Sequence, residues 1–190
     1  LQEKAQIQLI CIQGGKKDNA IPREAEAFFT SSEREETLRQ TAEEIQEMIQ
    51  SEYRETEPQM EFVWSQEEGD CRVMSEEDTK KVITLLRILP AGVQKMSREI
   101  EGLVQTSLNL GVLESKEDGV SFCFSVRSSV ESEKQELLNR LELTAQAVGA
   151  SVVVEGAYPA WEYREDSPVR EAMLQSYREQ YGREPVVQAI

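Results

Sequence analysis

The order of elements in this sequence predicts an α+β domain, with a mainly antiparallel sheet and helices covering one face. Three observations carry that expectation. Short runs that behave as strands, among them Ile7–Ile12, Ala25–Phe29 and Val120–Arg127, are bounded by turn residues. Longer runs between them space their apolar residues at helical intervals. The length of 190 residues and the hydrophobic fraction of 39% suit one domain of ordinary size, or one domain and part of another.

The first segment reads strand–turn–strand. Ile7, Leu9 and Cys11 face one way, Ile10 and Ile12 the other, so this strand should be covered on both sides. Gly14-Gly15 fits a tight turn or a close backbone approach; with no G-x-G-x-x-G or G-K-[ST] after it, it is not a phosphate loop. Ser32-x-x-Glu35 has the form of a capping box opening a long helix, with Leu38, Ala42, Ile45, Ile49 and Tyr53 as its apolar stripe. Met60, Phe62 and Trp64 alternate with Glu61, Val63 and Ser65, which predicts a strand ending in a turn at Gly69-Asp70. Ser75-x-x-Asp78 starts a second helix with Val82, Leu85, Leu86 and Leu89 on one stripe, stopped by Pro90 and Gly92.

A strand pair is expected over 103–113 and 120–127, turning at Glu117-Asp118-Gly119. A third helix spans about 132–148, with Leu137, Leu138, Leu141, Ala145 and Val148 inward and Gly149 just past its end. Val152–Glu155 reads as a short apolar strand. From Ser167 the pattern changes: Ser167-Pro168 is a cap followed by proline at the first helical position. Met173, Leu174, Tyr177 and Tyr181 form the stripe, Gly182 ends the helix, and Val186–Ile190 reads as the start of another strand.

Net charge is −15, from 36 acidic and 21 basic residues. Such a surface repels phosphate backbones and anionic lipids, so neither nucleic acid nor membrane is an expected partner. Glu33, Glu35, Glu36, Glu43, Glu44 and Glu47 belong to a solvated helix face. Cys11, Cys71 and Cys123 lack metal-ligand spacing, and the two within strand-like runs should behave as small buried hydrophobes. The chain has no histidine, which excludes Cys–His catalysis and leaves only carboxylates and thiols as metal ligands. Neither a signal peptide nor an apolar run of membrane-spanning length is visible, so a cytoplasmic setting is expected.

The stretch Asp18-Asn19-Ala20-Ile21-Pro22-Arg23-Glu24-Ala25 presents a polar amide just before a rigid elbow, because Pro22 fixes its own φ and biases Ile21 toward extended backbone. It resembles the corresponding lid-domain turn of the cytosolic nonspecific, or aminoacyl-histidine, dipeptidases, members of the clan of two-zinc exopeptidases. Three further stretches resemble that family in order and spacing: Gly92–Ser97, Gly102–Gly111 and Tyr158–Tyr163.

The resemblance implies a ferredoxin-like lid domain over 1–163, lacking its first strand, and a segment over 164–190 leading back into a catalytic domain outside this chain. Leu1–Ala5 would be the tail of a preceding helix. The parent enzyme would hydrolyse dipeptides, of Xaa-His type or broadly, using two Zn²⁺ ions held in the catalytic domain and none here. Its partners would be dipeptide substrates, its own catalytic domain and a second copy through the lid.

Two residues carry the implied chemistry. In Val120–Arg127 the even positions are bulky and apolar and the odd ones small or polar, so Arg127 stands at the strand's end on the face opposite the phenylalanines. The resemblance makes it the clamp for the substrate's terminal carboxylate, a task suited to a planar bidentate donor; on pattern alone it is a surface arginine paired with an acid. Asn19 by itself reads as an Asx-turn residue. The resemblance makes it a donor to the substrate carbonyl or to the oxyanion formed from it.

Asn109 falls in a matching stretch and reads as satisfying the sheet edge. Trp161 and Tyr163 read as core packing, or as packing at a domain joint. A rival of another class, a free-standing α+β interaction or regulatory domain, is separated by the coding sequence on either side of this segment. Metal-ligand motifs there favour the dipeptidase.

Overall fold

The computed structural model describes residues 6–67, 69–164 and 166–187. Its elements are β1 (Ile7–Gly14), β2 (Ala25–Ser31), α1 (Glu35–Glu52), α2 (Glu76–Ile88), β3 (Gly92–Met96), β4 (Val104–Lys116), β5 (Gly119–Ser128), α3 (Glu131–Ala147) and α4 (Pro168–Tyr181). The five strands form one antiparallel sheet in the order β2-β1-β4-β3, with β5 also paired to β4. This is the α+β class expected from the sequence. The chain packs as two compact units, one of Leu1–Gly15, Pro22–Thr84 and Val112–Phe122, the other of Lys16–Ile21, Leu85–Gly111 and Cys123–Ile190.

In the first unit β1 and β2 pair from Ile7↔Ser31 to Gly14↔Ala25, with an irregularity between Leu9 and Cys11. On its other side β1 pairs with β4 at Gln13 and Gly14, and the Ile12 backbone bonds the Ser115 hydroxyl of β4; Leu9, nearer the start of the strand, takes other partners for its backbone. Thr79 Oγ1, in α2, accepts from the Leu9 amide at 3.1 Å, and the Met74 amide donates to the Leu9 carbonyl at 2.7 Å. Thr79 is fully buried, which makes its hydroxyl the replacement for a missing strand. Thr79→Val, nearly isosteric, should therefore strand the Leu9 N–H and cost about 1–3 kcal/mol. Urea unfolding would measure it, and an unchanged midpoint would show that Thr79 only fills space.

The second unit is built around Leu108 of β4, with Leu137 and Leu141 of α3 and the partly buried Leu89, Phe124 and Val126. Thr106 and Ser128 join β4 to β5 through their hydroxyls at 2.9 Å. The end of α3 is closed as its Gly149 predicts: φ is +75°, the Gly149 amide donates to Gln146 O and the Ala150 amide to Ala145 O. At α4, Ser167 Oγ accepts from the Arg170 amide, Pro168 opens the helix and Gly182 ends it at φ +64°.

Several expectations fail, each for a physical reason. The capping box at Ser32 does not form; α1 starts from Arg34 without a side-chain cap, and the nearby Ser31 hydroxyl accepts from the Glu33 amide instead. At α2 the Ser75 cap does form, its Oγ accepting from the Asp78 amide and donating to the Asp78 carboxylate, but Leu86 is exposed and Thr79 takes the inward position. Residues 60–66 and 151–155 form no strand, because alternation supplies a face but not a ladder partner. Trp64 instead packs on Phe29 with ring centroids 5.7 Å apart, while Val153 stays 78% exposed.

Among the described residues, Gly69 and Asp70 are not in a turn. The strand β3, with mixed side chains and an exposed pattern, was not expected; its backbone pairing with β4 from Gly92↔Leu108 to Met96↔Val104 needs no apolar face. The stripe of α4 buries none of its residues. Val186 and Val187 are in no strand, and the rest of that expected strand, like the expected helix tail at Leu1–Ala5, lies outside the described residues.

Candidate functional site

The turn that carries Asn19 belongs to the second unit. Gly15, at φ +70°, lets the chain leave β1. The Ala20 amide then donates to Lys17 O at 3.3 Å, closing a four-residue turn with Asp18 and Asn19 at its centre. Asp18 Oδ1 accepts from the Asn19 amide at 2.9 Å. The local side-chain bonding expected of Asn19 is thus done by Asp18. Asn19 is exposed, and its own carboxamide makes no hydrogen bond among the described residues.

Two residues of β4 hold this turn from below. Asn109 Nδ2 donates to Ala20 O at 2.8 Å and to Asp18 O at 3.4 Å. At Gly111 a Cβ would collide with the carbonyl oxygens of Lys17 and Asp18, so any side chain there would push the turn away. The sheet-edge role expected for Asn109 is replaced by this bond to the turn. Gly111 was missed in the sequence, although a glycine inside a strand is the signal for close approach of another backbone.

Arg127 sits where its period-two pattern puts it. Phe124 and Val126 pack on the core with Leu108, so Arg127 stands on the opposite face of β5 and is exposed. The same parity applies to β4: Leu108 faces the core, and Asn109 and Gly111 face the other way, where the turn lies. The turn and Arg127 therefore share one face of the β4–β5 pair. No hydrogen bond or ion pair joins Arg127 to the turn, or to any acid, among the described residues. The paired surface arginine suggested by pattern alone is not what forms.

Cys123, on that same outer face, is exposed rather than buried, as is Cys71, while Cys11 is half-buried. Trp161 is 89% exposed, which overturns its assignment to the core. The backbone before it is pinned to α3: Lys134 Nζ bonds Tyr158 O at 2.6 Å, and the Ala160 amide donates to Glu131 at 2.9 Å. Lys134 and then the Ala160 amide hold the Glu131 carboxyl below its ordinary range. Tyr163, half-exposed, lies under the Arg170 guanidinium, 4.9 Å from ring centroid to Cζ.

A zinc pair does not fit the donors present. The chain has no imidazole, and among the described residues no three of Cys, Asp and Glu come together as a ligand set. No described helix is long and apolar enough to cross a membrane.

Comparison with known proteins agrees with this architecture. A family model described as a peptidase dimerisation domain matches residues 1–57. Over 189 residues the chain is 29% identical to the cytosol non-specific dipeptidase of Escherichia coli (strain K12), an alignment covering 99% of this chain and 39% of that protein. It superposes on the crystal structure of aminoacylhistidine dipeptidase from Vibrio alginolyticus with a TM-score of 0.88 and 30% identity, over 100% of this chain and 39% of the other. The chain thus spans 39% of the length of each relative. In sequence and fold the chain is thus similar to the lid, or dimerisation, segment of these dipeptidases.

Proposed function

We propose that this chain is the lid of a metal-dependent, cytoplasmic dipeptidase, closing over a dipeptide held at a two-zinc site in a catalytic domain outside the chain. One observation carries the reading. A free carboxamide on an anchored turn and a free guanidinium emerge on the same face of β4–β5. A dipeptide offers matching groups, a scissile carbonyl oxygen and a terminal carboxylate.

Asn19 donates to the carbonyl oxygen and stabilises the negative charge it gains as the tetrahedral intermediate forms. Arg127 grips the carboxylate with its planar fork and sets the register of the peptide. Whether they serve their own subunit or a partner's, the lid supplies binding and orientation, and the metal belongs to the other domain. Residues 164–190 lead into that domain, and the lid pairs with a second copy of itself, in keeping with the dimerisation model matched at 1–57.

The isolated chain should then neither retain zinc stoichiometrically nor hydrolyse a simple dipeptide. Metal content after dialysis and a turnover assay on the same sample test this. Two tightly held zinc ions with activity would overturn the division of labour.

A further inference from the structure

We infer that Asn109 is a positioning residue for the proposed reaction, acting through Asn19. The inference rests on the lid reading and adds to it how the reacting amide is held in place.

The geometry is specific to one amide group. Both partners of Asn109 Nδ2 are carbonyl oxygens, of Asp18 and Ala20, the residues on either side of Asn19. A carboxamide NH₂ has two donors and can serve both; a carboxylate at this place has none. Behind it, Gly111 lets Lys17 and Asp18 lie directly on the strand. The turn is thus held from two points on β4, one a bond and one a close packing, while Asn19 itself stays free. β4 in turn is fixed by Leu108, which is 1% exposed. A chain of contacts therefore runs from the core, through the strand, to the backbone that aims Asn19.

Such an arrangement suits a donor that must meet an oxyanion at a fixed point. Displacing a reacting group by about 1 Å costs up to roughly 10² in rate. The turn's own Asp18–Asn19 bond and 3.3 Å turn bond shape it locally, and the Gly15 amide closes the loop's base on Glu24 O at 3.1 Å; the contacts with Asn109 and Gly111 hold the residues beside Asn19 against the strand.

The test is a double-mutant cycle in the full-length enzyme, following kcat, KM and thermal stability for Asn109→Ala, Asn19→Ala and the pair. Asn109→Ala should lower kcat by up to about 10²-fold with KM little changed, and should add nothing once Asn19 is alanine. Gly111→Ala, which drives the turn off the strand by a different route, should behave in the same way.

Losses that multiply in the double variant would overturn the inference while leaving Asn19 in its role. A normal kcat in folded Asn109→Ala would overturn it too. If Asn19→Ala itself kept full kcat, the lid chemistry would fall and the role of Asn109 with it. That outcome is told from the others by a single variant.

Discussion

Asn19→Ala should lower kcat of the proposed full-length dipeptidase by about 10²–10³-fold, while raising KM far less and leaving metal content unchanged. The expectation follows from where the side chain is. Its carboxamide bonds to nothing among the described residues, since Asp18 supplies the local acceptor and Asn109 holds the flanking carbonyls. Removing it costs the fold little. An oxyanion donor is used mainly in the transition state, where its loss amounts to about 2.7–4 kcal/mol.

If Asn19 instead served the architecture of the turn, its loss would lower stability by about 0.5–1.5 kcal/mol and leave turnover per folded molecule unaltered. Thermal unfolding and kcat measured on one preparation separate the two. A destabilised enzyme with normal kcat would take Asn19 out of the chemistry.

Arg127→Ala should weaken hydrolysis of free-acid dipeptides by about 2–5 kcal/mol, or roughly 30- to 5,000-fold in kcat/KM. The guanidinium is exposed at the end of β5 and has no acid partner among the described residues, so the substrate carboxylate would be its first strong partner. With C-terminally amidated substrates the loss should be much smaller, because the charge to be clamped is absent. Arg127→Lys keeps the charge but not the fork, and should recover only part of the activity. Equal losses on acid and amide substrates would show that Arg127 is not the carboxylate clamp.

The sequence made some parts of this molecule legible and hid others, and the division follows the range of the interactions. Ser75 with Asp78, Ser167 with Pro168 and Gly149 announce helix ends because each acts within one turn of its own position. Arg127 could be placed on its face because strand parity is local. Met60–Trp64 and Val152–Glu155 were misread because alternation says which side chains share a face and nothing about whether another strand lies alongside. The opposite error concealed β3, whose pairing to β4 is a backbone matter. Asn19 stood out through its neighbours Ile21 and Pro22; Asn109 did not, since its purpose lies in a turn distant in sequence.

That distance gives the lid a timetable. Asn109 follows Ala20 by 89 positions, which a ribosome adding about 5–20 residues per second covers in roughly 5–20 s. During that interval the turn exists without its anchor. Closing so long a loop is among the slow, entropy-limited steps of folding, so Asn19 acquires its fixed aim only after β4 has been made and has docked. The part of the lid that would touch substrate is encoded early and becomes competent late.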